Sequence, residues 1–296
     1  MRRLKTLAVI GAGLVGGSFA LALRRAGAVS QVIGFDRDAA ALERAAALGV
    51  IDTTGASISE AAERADLVVV AVPVRAIGSV LHDVALAIQP GAVVTDVGST
   101  KAQVVRVAEE ELRERVTRFV PGHPIAGRET SGVDAATVDL FRGARVVLTP
   151  TPRTAPDAID LVRGAWEAVG GRVTAMGAED HDRIFAAVSH LPHLLSFALV
   201  SEIAGRDNAE ELFGFAAGGF RDFTRIAASS PEMWRDIALQ NRAALLAELD
   251  RYGAQLAVFR ALIEKGEGPG LERLMSEARS ARQAWASGPR HGPPTE

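Results

Sequence analysis

Residues 5–27 read KTLAVIGAGLVGGSFALALRRAG. An apolar run over residues 5–10 comes first, then Gly11, Gly13 and Gly16 in the spacing GxGxxG. Apolar positions then recur at helical spacing up to Gly27, a C-terminal stop signal. A strand that feeds a glycine turn and then a helix is the entry to a dinucleotide-binding βαβ unit. Gly11 allows the tight turn, Gly13 lets backbone approach a pyrophosphate, and Gly16 lets helix and strand pack closely. The first amides of the helix, around Leu14 and Val15, are then free to hold the phosphates. With 29 glycines in the chain the spacing alone is a weak signal, and its strand–turn–helix setting is what gives it force.

The next strand, QVIGFD over residues 31–36, ends in Asp36, 20 residues after Gly16. A carboxylate there accepts hydrogen bonds from the adenosine ribose and repels a 2′-phosphate, so NAD is expected rather than NADP. Arg37 beside it softens that preference. Strand and helix go on alternating. A helix ends at Gly49, a third strand at 66–73 closes on Val72 and Pro73 at the cofactor cleft, and another helix leads into a strand at 92–99. An amphipathic helix from about 101 to 115 and a strand near RFVPGHP follow. The strands at 66–72 and 92–97 are apolar nearly throughout, as in a parallel sheet covered on both faces. Residues 144–150 and 172–175 read as further strands flanking a helix.

From about Met176 the strand-like runs give way to long helical periodicity, with a last helix near 270–285. The expected fold is therefore α/β. A Rossmann-like, doubly wound parallel sheet occupies residues 1–175, and an all-helical domain spans 176–286. The Pro/Gly-rich tail, 287–296, is expected to be disordered.

Composition narrows the function classes. The chain has 296 residues, a net charge of −3 and a pI near 6.1, so no basic field points to nucleic acid or an anionic membrane. With no cysteine, thiolate catalysis, disulfides and Cys-ligated zinc are excluded. No run reaches the roughly 18 uninterrupted apolar residues of a membrane span, and no signal-peptide pattern opens the chain. A cytoplasmic protein is expected.

Besides the glycine loop, TDVGSTK (95–101), PGHPIAGRETSG (121–132), EDHDRIFAAVSHLPH (179–193) and GGFRDFTR (218–225) gather polar groups. Ser99 lies past the end of a strand, where it can serve chemistry or, with Lys101, merely cap the next helix. His123 lies between Gly122 and Pro124 on what reads as a stiff loop. His190 and His193 are three apart, but Pro192 between them and the lack of a carboxylate partner argue against metal. Arg221 and Arg225 are either solvated or, with Phe220 and Phe223 as neighbours, partly buried and in need of an anion.

GAGLVGGS, DVGSTK, GHPIAGRETSGV, VSHLPHLLSFALV and GGFRDFTRIAASSPEMWRDI together resemble the prephenate/arogenate (cyclohexadienyl) dehydrogenases of tyrosine biosynthesis, over residues 5–285. The resemblance implies a nicotinamide-dependent oxidative decarboxylation in a cleft between a Rossmann-like domain and a helical domain that forms a homodimer. It implies prephenate, arogenate or both as the small-molecule substrate. His123 would accept the proton of the ring 4-hydroxyl, with Ser99 orienting it. Arg225 would clamp a substrate carboxylate, His193 would line the pocket, and Glu129 would gate it. Arg128 and Arg221 depart from commoner family residues, yet add charge suited to a dicarboxylate. Neither a chorismate mutase segment nor an ACT domain is expected, so any tyrosine inhibition would act near the active site. Two other readings compete. A β-hydroxyacid dehydrogenase would want a catalytic lysine in the helical domain, which offers only Lys265. An NAD-sensing protein would bind the cofactor without turnover.

Overall fold

The computed structural model describes residues 3–127 and 130–287. The chain opens with β1 (Leu4–Ile10), α1 (Leu14–Arg25), β2 (Val29–Phe35), α2 (Ala39–Ala47), β3 (Thr53–Thr54) and α3 (Ile58–Glu63). It continues with β4 (Leu67–Val70), α4 (Ile77–Ala87), β5 (Val93–Asp96), α5 (Ala102–Leu112) and β6 (Phe119–Val120). These strands form one sheet in the order β3-β2-β1-β4-β5-β6, and every pair in it is parallel.

Successive side chains on a strand point to opposite faces, and both faces here are covered. Leu7, Val9, Leu67, Val69 and Val93 join Phe19 and Trp166 in one core. Ala8, Ile10, Val68, Val70 and Val94 join Leu81 and Phe119 in the other. That two-sided burial is why these strands read as unbroken apolar runs. The strand order reverses between β1 and β4, so a crevice opens at the carboxyl ends of the strands, where doubly wound folds bind ligands.

The strand expected near RFVPGHP divides at Pro121. Val120 stays in the first sheet beside Thr95, whereas Gly122–Ile125 becomes β7 of a second sheet. There β7 runs antiparallel to β8 (Arg145–Leu148), which is parallel to β9 (Arg172–Ala175) across α6 (Pro156–Ala168). His123, expected on a loop, is thus a strand residue paired with Val147. Its neighbour Pro124 is tolerated because β7 is an edge strand, where a missing N–H costs no ladder bond. Val146, Leu148 and Trp166 enter the core of the first sheet, with Phe19 and Trp166 ring centroids 4.3 Å apart.

After β9 the chain is helical: α7 (Ala178–Phe185), a π turn (Ala186–His190), α8 (Leu191–Ala204), α9 (Ala209–Gly214) and α10 (Gly218–Thr224). Then come a 3₁₀ turn (Arg225–Ala228), α11 (Pro231–Gln240), α12 (Arg242–Glu264) and α13 (Gly268–Ser287). Pro192 has no N–H to return to the preceding turn, and the widened π turn sits directly before it. The rod Ala178–Ala204 has the length and apolarity of a membrane span, yet it carries His181, Asp182, His190 and His193 and packs on α5 and α12. α13 runs through Ser287, so the expected tail starts inside a helix, and its remaining residues, 288–296, lie outside the described residues.

Candidate active site

The glycine loop is shaped by close contact. Gly11 has φ +98°, and a Cβ there would lie 2.3 Å from the Ala71 carbonyl oxygen. A Cβ on Gly16 would lie 2.2 Å from the Gly11 carbonyl oxygen. A Cβ on Gly13 would meet nothing within 4 Å, so the approach to the start of α1 is open. Leu14 and Val15 open α1, whose first turn holds no acidic residue to compete with a phosphate. Asp36 ends β2 and is tied back to the loop. Its carboxylate accepts the Ala12 N–H at 3.0 Å and the Asp38 N–H at 3.1 Å. A carboxylate has about four acceptor positions, so capacity for a ribose remains. Arg37 is exposed beside it, and Val72 and Pro73 follow β4 at the same edge of the sheet. The residues present fit a dinucleotide.

At the end of β5 lies a buried ion pair. Asp96 and Lys101 are both inaccessible to solvent and bonded to each other. The Asp96 carboxylate also accepts the N–H groups of Gly98 (2.8 Å) and Gly122 (3.1 Å). Lys101 Nζ donates to the Gly122 carbonyl at 2.8 Å. Burial draws the Lys101 ammonium below its usual pKa, opposed by the Asp96 charge. These bonds fasten the backbone directly before His123.

His123 is half-buried, and its Nδ1 lies 2.8 Å from His181 Nε2. His181 Nδ1 lies 2.8 Å from Asp182 Oδ1. The Asp182 carboxylate in turn accepts the N–H groups of Lys101 (2.7 Å) and Ala102 (2.9 Å). So the α5 N-terminus is capped from α7, and the local cap by Ser99 or Lys101 weighed from sequence does not form. Burial, reinforced by His181, Lys101 and His190, holds the His123 pKa well below 6.5. Ser99 stands partly buried on the turn between β5 and α5.

A second group gathers in the helical domain. The His193 ring stacks on Trp234 with centroids 3.6 Å apart. His193 Nδ1 donates to the Ser189 carbonyl at 2.9 Å, which leaves Nε2 as an acceptor. Burial lowers the His193 pKa, and the Arg225 charge lowers it further, so that guanidinium lies within electrostatic reach. Asn241 joins the two groups, its Nδ2 lying 2.7 Å from the Asp182 carbonyl and 3.0 Å from His190 Nδ1. Arg221 and Arg225 are exposed rather than partly buried, because α10 borders the rim of the helical domain. Arg128 and Glu129 lie outside the described residues. The stretch 179–193 singled out from sequence holds His181, to which no role was attached, while Asp96, Asp182 and Asn241 were not singled out. The signal for Asp96 was a lone carboxylate closing an apolar strand; for the others none was local.

A sequence model of the prephenate dehydrogenase nucleotide-binding domain matches residues 19–175, and one of the prephenate dehydrogenase dimerization domain matches 177–277. The chain belongs to the prephenate dehydrogenase family. Among the similar members, a cyclohexadienyl dehydrogenase of Zymomonas mobilis is 38% identical, with 95% of this chain and 96% of that protein covered. A prephenate dehydrogenase of Aquifex aeolicus, solved with hydroxyphenyl propionate and NAD+, superimposes with a TM-score of 0.89. It is 38% identical, covering 94% of this chain and 97% of that one. An arogenate dehydrogenase of Synechocystis superimposes with a TM-score of 0.80 at 32% identity, covering 95% and 99%. Three substrate names thus attach to relatives of similar closeness. The prephenate dehydrogenase fold is shared by all.

Proposed function

We propose that the chain catalyses oxidative decarboxylation of prephenate to 4-hydroxyphenylpyruvate in tyrosine biosynthesis, with arogenate as a second substrate. It is an oxidoreductase of the prephenate dehydrogenase family, and its cofactor is NAD. NAD, when bound, accepts the hydride from the ring carbon that bears the 4-hydroxyl. The observation that carries the reading is His123, an imidazole that burial keeps neutral and that His181 anchors through Nδ1.

The chain's residues divide the work. His123 Nε2 takes the hydroxyl proton as hydride departs, the ring carboxylate leaves as carbon dioxide, and the ring becomes aromatic. Ser99, at the end of β5, orients the hydroxyl beside it. Arg225 binds a substrate carboxylate, Arg221 adds positive charge at the rim, and His193 offers Nε2 to the pocket wall. Arg128 supplies further charge and Glu129 gates the entrance. Gly11, Gly13, Gly16 and the amides at Leu14 and Val15 hold the pyrophosphate. Asp36 takes the ribose with Arg37 beside it, and Val72 and Pro73 border the base. The helical domain pairs two copies, supported by its family description and by the exposed Leu256, Val258 and Ile263 of α12. The reading places the enzyme in the cytoplasm, with the soluble NAD pool.

The test is NADH formation from NAD with prephenate and, separately, arogenate. No NADH from either substrate would refute the activity. His123→Asn should lower kcat by about 10²–10⁴-fold and leave NAD affinity near normal, the loss expected for a positioned general base. Full turnover by that variant would place the base elsewhere.

A further inference from the structure

Three groups in line leave little freedom of protonation. The Asp182 oxygens accept two peptide N–H groups, from Lys101 and Ala102, and a peptide N–H can only donate. Burial pushes the Asp182 carboxyl up, but its bonds from His181, Ala102 and Lys101 outweigh burial and hold it below the usual carboxylate value. Asp182 is therefore an ionised acceptor. Its contact with His181 Nδ1 at 2.8 Å requires a hydrogen on that nitrogen. Burial keeps His181 neutral against the pull of Asp182, so its Nε2 carries a lone pair. His123 Nδ1, 2.8 Å away, must then carry the hydrogen of that bond. A neutral His123 is left with a bare Nε2.

We propose that His181, oriented by Asp182, is a positioning residue that fixes His123 in its Nδ1–H tautomer and so makes Nε2 the proton acceptor. The inference rests on the reading of His123 as the base. A free imidazole side chain favours the opposite tautomer, whose Nε2–H has no lone pair for a substrate hydroxyl. The surroundings enforce the choice from several elements. Lys101 of the β5–α5 turn, Asp96 of β5 and His190 of the π turn all bear on this pair, and the Phe185 ring of α7 lies 4.4 Å from that of His181. After Nε2 has taken the proton, the imidazolium still donates through Nδ1 to His181. The Asp182 charge, one ring further on, then stabilises the cation.

The experiment is a two-bond ¹H–¹⁵N correlation spectrum of the full-length, histidine-labelled protein at a pH where its imidazoles are neutral. The His123 signals are assigned by their loss in His123→Asn. The expected result is an Nδ1–H tautomer for His123 in the wild type. In His181→Leu that tautomer should be lost, and kcat should fall on the order of 10²-fold with KM values little changed. In His181→Gln the amide oxygen can stand in for Nε2, and both tautomer and most of kcat should return. A purely structural role predicts no recovery with Gln and no change of tautomer. An Nε2–H His123 in the wild type overturns the proposal, as does a leucine variant that keeps the tautomer and kcat. Should the leucine variant fail to fold, the wild-type spectrum alone decides. If His123→Asn keeps its turnover, the base assignment falls while the tautomer is still read directly.

Discussion

Lys101 and Asp96 are fully buried and bonded to each other, Lys101 also to the Gly122 carbonyl and Asp96 also to the Gly98 and Gly122 amides. Removing one charge strands its partner in a low-dielectric interior. Lys101→Met should therefore destabilise the fold by about 3–5 kcal/mol, measured by urea unfolding, whereas adding Asp96→Asn should restore part of the loss. Equal stability of Lys101→Met and wild type would mean that the pair contributes little. For His123 the direction of the pKa gives the sign of a kinetic effect. A protonated imidazole has no lone pair at Nε2, so kcat/KM falls as pH drops through its pKa. Burial, reinforced by His181, Lys101 and His190, places that pKa well below 6.5, so the acid limb of the free enzyme should lie below pH 6.5. A limb centred at or above 6.5 would contradict the geometry.

Among the elements, α1 depends on closeness more than on propensity. The missing Cβ of Gly16 brings the first turn of the helix against the Gly11 carbonyl, where a methyl would sit 2.2 Å from oxygen. Gly16→Ala should cost about 1–3 kcal/mol of stability by overpacking, and weaken NAD binding because the phosphate amides shift. Calorimetric titration with NAD checks both the loss and its size, and unchanged affinity would detach the glycine from the cofactor site. The βαβ units were readable because two-sided burial writes continuous apolar runs into strands such as LVVV. β3 and α3 were not, being short and mostly polar. The departure of β7 from the first sheet was also hidden. Phe119–Ile125 is one extended run in sequence, and only the competing partners Thr95 and Val147 divide it.

Across the whole molecule, the helical domain meets the first through polar links such as the Asp182 carboxylate on the Lys101 and Ala102 amides, and inside the helical domain a buried histidine makes stability depend on pH. Burial lowers the His190 pKa to about 4, and Asn241 Nδ2 already points a hydrogen at its Nδ1. The unfolded chain binds a proton near pH 6.5 and the folded one resists it down to about 4, so stability should fall as pH drops through that window. The loss amounts to roughly 3 kcal/mol from this residue. Urea midpoints for wild type and His190→Gln at about pH 7 and about pH 4.5 isolate the contribution. A parallel fall in both proteins would assign the effect to other groups.

The sequence by itself determined the dinucleotide fold, because GxGxxG, Asp36 and two-sided apolar strands are local patterns with local causes. It also singled out His123, through long and chemically unusual motifs. Tertiary structure alone decided what surrounds that histidine. Asp96, Lys101, His181, Asp182 and Asn241 come from distant segments, with 81 residues separating the Lys101 amide from the Asp182 carboxylate it donates to. A hydrogen bond needs its partners within about 3 Å in space and places no condition on their separation along the chain. So the strand that carries the base, the cap on α5 and the order of protons from Asp182 to His123 became visible only once the chain was folded.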